Sequence, residues 1–458
     1  MKYRLDASMR RADRGHALVG GSPLKVFRVT AAGARLIDDI AVGDDVTIRP
    51  FIDRLVDAGA IHPLPESSPF TPADVTVVIP TYRQDVFEAI SGLGGVGRII
   101  VVDDASPVAV RVPDGVEVVR QSVNLGPGAA RSTGLAMVTT PLVAFVDADT
   151  RPPPDWLSGL LPHFSDDRVA LVAPRVRSDE REPGLLSRYE TFRSPLDLGP
   201  SPARIRARTR VGYVPGAALV GRADALRAVD GFASDMRIGE DVDLVWRLDD
   251  AGHRLRYEPG SVVYHAPRTS PIAWMRQRFE YGTSAAALAR RHHEAVAPLT
   301  VSGWSVATWG LAAAGWPMAG FTVGATTAGL LARKLSALEH PMVEALRLAG
   351  LGHLFAGRQI ASAITRTWWP LALAGAVVSK RARCIVIPAA VVPALIDWAR
   401  ERPPIDAGPW VALRLLDDAA YGAGVWVGCL RAGSFEALTP DLTSWPKPSR
   451  YESRHAPH

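Results

Sequence analysis

The spacing of apolar positions changes twice along the chain and divides it into three regions. In the first, two short apolar runs flank Gly20 and Gly21, which predicts a β-hairpin, and two stretches with apolar residues at helical spacing follow. Thr30 is placed to cap the first of these helices, and Gly59 follows the second. The pattern predicts a small α+β domain over residues 1–65, followed by a linker rich in Pro and Ser.

The second region, from Val75 to about Pro267, alternates short apolar runs with helical stretches. The runs are rich in β-branched residues and read VTVVIP, RIIVVDD, VEVVRQ, LVAFVDAD and VALVAP. Strands spaced by helices in this way are typical of an α/β fold, with a mostly parallel sheet covered on both faces. We assign this predicted domain to residues 74–290.

The third region, residues 295–458, is hydrophobic and is predicted to be helical. Residues 295–332 contain no Asp, Glu, Lys or Arg, and their length suits one tilted membrane span or a hairpin broken at residues 315–317. Two later apolar runs are each too short to cross ~30 Å of hydrocarbon, and the cations at 380–383 between them suit a headgroup interface. Membrane association is the prediction, and a buried helical subdomain of a soluble protein is the alternative.

Composition narrows the classes of partner. Of the 458 residues, 47% are hydrophobic and 22% charged, which is typical of a folded globular protein. The net charge of +5 suits a phosphate-bearing ligand or an anionic membrane, and no dense Lys/Arg run with interleaved aromatics indicates a nucleic acid. Two distant cysteines and a charged start without an apolar core predict a reducing setting, with the catalytic part at the cytoplasmic face of the membrane.

Candidate nucleotide-binding residues follow the first two strands of the α/β region. Ligands of open α/β sheets bind beyond the carboxyl ends of the strands, which selects Pro80, Thr81 and Tyr82. Asp104, after the second strand, is placed to accept a hydrogen bond from a base edge, although an Asp at a strand end also serves as a helix cap or turn residue. The small residues that follow let a helix start approach the nucleotide, and Arg131 in that helix is predicted to meet a phosphate.

Two further acidic motifs supply the chemistry of group transfer. Asp147 and Asp149 end an apolar strand at positions i and i+2, a pattern that predicts a shared Mn²⁺ or Mg²⁺ ion, with a solvated turn as the alternative. Asp241 is the predicted general base, and Glu240 beside it is predicted to orient it. The alternative for this pair is that acidic residues favour a helix N-terminus. Gly216 precedes this motif and is assigned to the donor site.

In their order along the chain, these motifs resemble those of the family 2 glycosyltransferases with the GT-A fold. The resemblance covers about Asp74 to Arg268 and implies a nucleotide-sugar donor, a metal held by Asp149, a base contact from Asp104 and Asp241 as the base of a single inverting displacement. It also implies that His265 lies near the diphosphate or the metal, for which a purely structural histidine is the alternative. The QxxRW pattern of processive synthases is missing, so long-chain synthesis is not predicted.

The layout of the whole chain resembles a narrower family, the glycosyltransferases of the mycofactocin system. The resemblance rests on VTAAGARLIDDI and RLVDAGAIHPLP in the first region, and on WWP and PALIDW in the third. The first region also resembles the small winged-helix-like domains that bind peptide precursors. This implies glucose, from UDP-glucose, as the sugar and a peptide-derived redox cofactor as the acceptor. A cell-envelope glycolipid or polysaccharide acceptor and a non-catalytic peptide- or membrane-binding scaffold are the alternatives.

Overall fold

A computed structural model describes residues 1–442 except 13, 14, 16, 48, 49, 182, 294 and 337. The chain forms two compact units, Met1–Pro267 and Arg268–His458. Residues 48 and 49, in the second predicted helix, and residues 443–458, in the predicted hydrophobic region, lie outside the described residues. The domain boundaries at 65, 74, 290 and 295 stay predictions.

The N-terminal part of the first unit is an α+β domain with its own apolar core. The predicted hairpin is confirmed, because β3 and β4 pair antiparallel on either side of the turn. The predicted cap is also confirmed, because Thr30 Oγ1 accepts a hydrogen bond from the Gly33 amide at 3.2 Å. Ile37, Leu55 and Ile61 are fully buried in the core between helices and strands. The elements are β1 (Lys2–Leu5), β2 (Arg10–Ala12), β3 (Ala17–Gly20), β4 (Lys25–Arg28), α1 (Ala31–Val42), α2 (Pro50–Asp57) and β5 (Ile61–Leu64).

The remainder of the first unit is built on a nine-stranded mixed sheet, and the predicted α/β fold of the GT-A type is confirmed. The order along the sheet is β10, β14, β11, β13, β9, β6, β7, β8, and β12 pairs with β14. The strands are β6 (Val75–Thr81), β7 (Arg98–Asp103), β8 (Glu117–Arg120), β9 (Leu142–Val146), β10 (Thr150–Arg151), β11 (Val169–Ser178), β12 (Ala203–Arg204), β13 (Ala218–Arg222) and β14 (Arg254–His265).

The prediction of a mostly parallel sheet is wrong for half of it. Strands β6, β7, β8 and β9 are parallel, whereas β13 runs antiparallel to both β9 and β11. Strand β14 is parallel to β11 and antiparallel to β10 and β12. The apolar pattern of a strand shows that both of its faces are buried but not which way it runs, so the pattern could not distinguish these cases.

Five α-helices follow in the described residues of the first unit after Val75, and the sheet core is closely packed. Val77, Ile79 and Val101 in the central strands are fully buried. An added Cβ on Gly134 in the second of these helices would lie 2.3 Å from Val78 Cγ1, so this helix rests directly on β6. The helices are α3 (Phe87–Ser91), α4 (Pro127–Ala136), α5 (Leu185–Arg193), α6 (Ala223–Ala228) and α7 (Glu240–Asp250).

The second unit is helical, as predicted for the third sequence region. Its first and last α-helices pack closely against each other. A Cβ added to Gly282 in the first would lie 2.0 Å from the Tyr421 carbonyl oxygen in the last. The elements are α8 (Pro271–Arg291), β15 (Thr300–Val301), α9 (Gly303–Ala313), α10 (Pro317–Lys334), α11 (Pro341–Ser362), a π-helical turn (Ala363–Thr367), α12 (Trp369–Val378), α13 (Lys380–Glu401), α14 (Ala407–Ala432) and β16 (Asp441–Leu442).

Candidate active site

The predicted nucleotide-binding residues lie together where β6 and β7 end. Pro80 and Thr81 are the last residues of β6 and are buried, whereas Tyr82 is 39% exposed. The Arg83 guanidinium carbon lies 5.0 Å from the centroid of the Tyr82 ring. Tyr82 therefore presents an aromatic face at this edge of the sheet, backed by a cation.

Asp104 holds the glycine-rich loop with both of its carboxylate oxygens. Oδ1 accepts a hydrogen bond from the Leu125 amide and Oδ2 one from the Gly126 amide, each at 2.8 Å. The side chain is buried, and the neighbouring Asp103 accepts from the Ser106 amide at 2.9 Å. The structure therefore gives Asp104 a loop-fixing role, and its predicted contact with a base edge stays a prediction.

Arg131 is a buried link between the two acidic motifs. Its Nη2 donates to Asp147 Oδ1 at 2.5 Å, and its Nη1 donates to Glu240 Oε1 at 2.7 Å. The guanidinium carbon lies 5.4 Å from the centroid of the Phe232 ring. Burial by itself lowers the pKa of an arginine, but the Asp147 and Glu240 carboxylates raise the pKa of Arg131 above its ordinary value. The cation is therefore permanent and ties the end of β9 to the start of α7.

The antiparallel direction of β13 brings Gly216 to the same place. Ala218 at the start of β13 pairs with Val146 at the end of β9, and the Asp147 amide donates to the Ala217 carbonyl at 3.0 Å. The residue before this pair, Gly216, therefore lies beside Asp147. A Cβ added there would lie 3.0 Å from Arg131 Nη2, so a larger residue at this position would press against the guanidinium.

Asp241 is held at this junction by backbone amides. Its Oδ2 accepts from the Gly216 amide at 2.7 Å and its Oδ1 accepts from the Val242 amide at 2.8 Å. It stands in the first turn of α7, whose preceding residue, Gly239, adopts the left-handed conformation with φ of 85°. The two amide hydrogen bonds fix the orientation of the base candidate.

Glu240 lies on the opposite side of the same turn and is nearly fully buried. Burial, and then the charge of Asp241, raise the pKa of Glu240 to about 7, while Arg131 opposes the shift. A Cβ added to Gly128 in α4 would lie 2.9 Å from Glu240 Cγ, so α4 closes over this side chain. Glu240 therefore changes its charge near neutral pH at a position where it shares Arg131 with Asp147.

Asp149 and His265 meet at the outer end of the sheet, where β10 pairs with β14. The Ala266 amide donates to the Asp149 carbonyl at 3.0 Å, which places His265 Nε2 3.3 Å from Asp149 Oδ1. Gln84 Nε2 donates to Asp149 Oδ2 at 3.3 Å. Asp147 and Asp149 thus contact different partners, although both face the same edge.

This set of donors fits a divalent cation that also binds substrate phosphates. Among the described residues, no group of three or more His, Cys, Asp and Glu is arranged to hold a metal by itself. Mg²⁺ and Mn²⁺ in phosphate-transfer sites are bound through one or two carboxylates, and the diphosphate and water supply the remaining oxygens. Asp149 supplies such a carboxylate oxygen, and His265 supplies a nitrogen donor beside it.

The structure therefore brings the predicted residues to one edge of the sheet in two clusters. One cluster contains Arg131, Asp147, Gly216, Glu240 and Asp241, and the other contains Asp149 and His265. Gln84 and Phe232 belong to these clusters and were not predicted as site residues. A polar residue three positions after Thr81, in a loop that follows a strand, was the available signal for Gln84.

Comparisons with known proteins agree with this geometry. The family model described as glycosyl transferase family 2 matches residues 76–227. The pre-mycofactocin glycosyltransferase of Mycobacterium tuberculosis is 41% identical, over 96% of this chain and 97% of the relative. Glycosyltransferase AglE of Haloferax volcanii is 25% identical over 37% of this chain and 57% of the relative.

Among solved structures, the chain is similar to the mannosyltransferase PcManGT from Pyrobaculum calidifontis in complex with GDP-Man and Mn²⁺. That likeness has a TM-score of 0.35 at 19% identity and covers 63% of this chain and 90% of the other.

Proposed function

The chain belongs to the family 2 glycosyltransferases, and from that membership we propose that it transfers glucose from UDP-glucose, with inversion, to a peptide-derived redox cofactor of the mycofactocin type. The observation that carries the proposed mechanism is the Arg131 link, because it joins Asp147, which follows β9, to Glu240, the neighbour of Asp241 in α7. The relative's name, pre-mycofactocin glycosyltransferase, and its match over nearly the whole chain support the acceptor.

The proposed donor site lies at the ends of β6, β7 and β9. The exposed face of Tyr82 is placed to stack on a base, and Asp149 with His265 is placed to hold Mn²⁺ or Mg²⁺. When bound, the cation neutralises charge that develops on the leaving diphosphate. Arg131 serves this site by fixing Asp147 from inside the protein.

The proposed displacement is a single step. The acceptor hydroxyl oxygen attacks the anomeric carbon of glucose while the bond from that carbon to the diphosphate oxygen breaks. The hydroxyl proton passes to Asp241, and the nucleoside diphosphate leaves with the bonding electron pair. Attack from the face opposite the leaving group inverts the anomeric configuration. The two backbone amides on Asp241 hold its carboxylate oriented for this transfer.

The proposed place of work is the cytoplasmic face of a membrane. Helix α13 is the one helix in the described part of the second unit that is long and apolar enough to cross a bilayer, and most of it is exposed. The same apolar surface favours the second candidate acceptor, a cell-envelope glycolipid or polysaccharide. The N-terminal α+β domain favours the peptide-derived acceptor, because its sequence resembles the small winged-helix-like domains that bind peptide precursors.

Donor turnover by the purified full chain tests the proposal. We expect Mn²⁺-dependent binding and slow hydrolysis of UDP-glucose, and transfer of glucose to the peptide-derived acceptor. Preference for a GDP- or dTDP-sugar, with transfer to a lipid acceptor instead, would favour the second candidate.

The metal assignment has its own test. Asp149→Ala removes the carboxylate between His265 and Gln84, so we expect donor affinity in Mn²⁺ to fall to the metal-free value. Asp155→Ala, an exposed acid on the loop after β10, is the matched control and leaves the Mn²⁺ dependence intact. Unchanged metal dependence in Asp149→Ala contradicts the assignment.

A further inference from the structure

Large apolar side chains are exposed over one stretch of the second unit, residues 304–396. More than half of the exposed large apolar side chains in the described chain lie in this stretch, and they include Trp316, Phe321 and Phe355, which are 66%, 71% and 68% exposed. Soluble proteins scatter such side chains singly, and a concentration of them marks a surface that another phase or partner covers.

Several polar groups of α9, α10 and α11 are hydrogen-bonded to one another around His353. His353 of α11 contacts Ser305 Oγ of α9 through Nδ1 at 3.0 Å and Thr327 Oγ1 of α10 through Nε2 at 2.8 Å. Trp309 Nε1 donates to the His353 carbonyl at 2.7 Å, and a Cβ on Gly357 would lie 2.4 Å from the Trp309 ring. Small residues and interhelical hydrogen bonds inside the bundle, with apolar residues outside it, are the arrangement that lipid favours.

The densest cluster of charge in this stretch is positive. Residues 295–396 contain two acidic residues, Glu339 and Glu344, and the two acids of α13, Asp397 and Glu401, lie near its C-terminal end, far from its cationic start. Lys380, Arg381 and Arg383 open α13 directly after the exposed Val378. A cluster of cations beside an apolar surface is complementary to the headgroups of an anionic bilayer.

Among helices α9–α13, only α13 is both long and apolar enough to cross a bilayer, and its own features argue against a crossing. Helix α9 has 11 residues and α12 has 10, so at 1.5 Å per residue each is roughly half as long as the ~30 Å hydrocarbon core. Helix α13 has 22 residues, but it contains Pro388 and Pro393, and its Asp397 pairs with Arg358 of α11 at 2.7 Å. A crossing α13 would carry three cations of the α12–α13 turn through the bilayer, which is costly.

We propose that helices α9–α13 dock on an anionic lipid bilayer from one side and enter a single leaflet. The cations at 380, 381 and 383 then lie at the headgroups, and the α12–α13 turn returns to the side from which it entered. The inference rests on the proposed membrane association and adds to it the charge of the lipid and the topology.

Flotation of the full chain with vesicles tests the lipid partner. We expect binding to mixed vesicles of phosphatidylcholine and phosphatidylglycerol and weaker binding to neutral vesicles of phosphatidylcholine alone. The Lys380→Glu/Arg381→Glu/Arg383→Glu variant should bind the mixed vesicles roughly 100-fold more weakly, because each surface cation contributes about a factor of five. The matched control reverses three exposed cations of the first unit, Arg28→Glu/Arg35→Glu/Arg111→Glu, and keeps wild-type binding.

The native cysteines test the topology. Cys384 is exposed and stands beside the three cations, whereas Cys429 is buried. For protein bound to the outside of sealed vesicles, we expect Cys384 to react with a membrane-impermeant maleimide before detergent is added. Val108→Cys in a Cys384→Ser background provides the outside reference, because Val108 is 79% exposed in the first unit.

The outcomes distinguish the proposed membrane association from the inferred single-leaflet topology. Vesicle binding with Cys384 protected until detergent is added would show a crossing and overturn the single-leaflet inference, while the proposed membrane association stands. No binding to either kind of vesicle by a chain that still turns over donor would overturn both, and a concentration-dependent dimer would then identify a second copy as the cover. Equal binding to neutral and anionic vesicles would overturn the anionic assignment alone.

Discussion

Asp241 and Glu240 are adjacent in the sequence but have opposite surroundings. Asp241 receives two backbone amides, from Gly216 and Val242, whereas Glu240 is buried against Arg131. An amide donor orients a carboxylate without neutralising it, and a buried carboxylate loses its charge more readily. The surroundings of Asp241 suit a group that accepts a proton during turnover. The surroundings of Glu240 suit a group whose protonation controls the ion pair with Arg131.

Asp241→Asn tests the base. The amide keeps the shape of the side chain but cannot accept the acceptor's proton, so we expect kcat to fall by at least about 10³-fold while the donor Kd stays within about threefold. Calorimetric donor titration and single-turnover transfer measure the two quantities. Asp224→Asn, in the first turn of α6, is the control and leaves both unchanged. Loss of donor binding in Asp241→Asn would move this residue into the donor site.

The pH dependence of kcat/KM tests Glu240. Because the pKa of Glu240 is raised to about 7, the carboxylate is protonated below that pH and its ion pair with Arg131 is lost. We expect kcat/KM to rise as the pH increases through about 7, and Glu240→Gln to lack this rise and keep a low value throughout. A variant that retains the wild-type inflection would assign the titration to another group.

The sequence predicted candidate site acids on the ground that each follows a strand or opens a helix, and their roles stay predictions. Asp147, Asp149 and Asp241 were selected on this ground, and the structure places them at one edge of the sheet. The role of Arg131 was predicted as phosphate contact, whereas the structure buries it between Asp147 and Glu240. The partner of a buried cation depends on tertiary distances, which spacing along the chain does not contain.

At the scale of elements, the direction of β13 assembles the site. An antiparallel strand places its start beside the end of its neighbour, so Gly216 reaches Asp147 and the amide of Gly216 reaches Asp241. A parallel β13 would place Gly216 at the opposite edge of the sheet. The apolar pattern predicted the strands correctly but not this reversal, because burial of both faces is the same in either direction.

Arg131→Lys tests the link between α4, β9 and α7. An ammonium group lacks the planar fork that holds two carboxylates at once. We therefore expect kcat to fall about 10–100-fold, the usual loss when a residue that positions the site residues is changed. Arg98→Lys is the control, because Arg98 binds Glu117 between β7 and β8, away from the acidic motifs. Steady-state kinetics and thermal melting together separate a lost link from an unfolded protein. Wild-type kcat would show that the link is not needed.

At the scale of the whole molecule, arginines of the sheet domain, among them Arg254 of β14 and Arg210, join it to the N-terminal domain. Arg254 contacts Asp57 and Asp53 of α2 and Asp166 of the sheet domain, at 2.8, 2.5 and 2.7 Å. Arg210 pairs with Asp6, which also binds His62. The sequence predicted a separate domain over residues 1–65 and a linker, but not this junction, because its arginines stand about 200 residues from their partners.

Arg256 stands two residues from Arg254 on the same strand and has the opposite balance of interactions. It is 3% exposed, and its Nε, Nη1 and Nη2 have no hydrogen-bond partner among the residues that the structure describes. Burial, and then the charges of Arg254 and Arg204, lower the pKa of Arg256 to about 10. A buried cation without hydrogen-bond partners destabilises the folded state. A buried cation that pairs with three carboxylates is different, because its removal leaves those carboxylates without a partner and destabilises the fold.

Substitution of the two arginines is therefore predicted to change the free energy of unfolding in opposite directions. Arg254→Met leaves Asp53, Asp57 and Asp166 without their cation, so we expect the free energy of unfolding to fall by about 3 kcal/mol. Arg256→Met fills a similar volume and removes the unbonded guanidinium, so we expect the free energy of unfolding to rise by about 1–3 kcal/mol. Urea unfolding of the full chain at pH 7 measures both changes, provided that each transition is two-state.

Unfolding at acid pH provides the control for these two variants, because the stability that Arg254 contributes depends on ionised carboxylate partners. The pKa of Asp57 is lowered: burial would raise it, but Arg254 and the neighbouring arginines outweigh burial. The stability from this pair is therefore present above about pH 4, the pKa of an unfolded Asp, and is lost as the pH falls through the folded pKa. We expect the loss in Arg254→Met to shrink towards zero in that range. Equal destabilisation by both arginine variants would mean that Arg256 has partners in solution and that the junction depends on both cations.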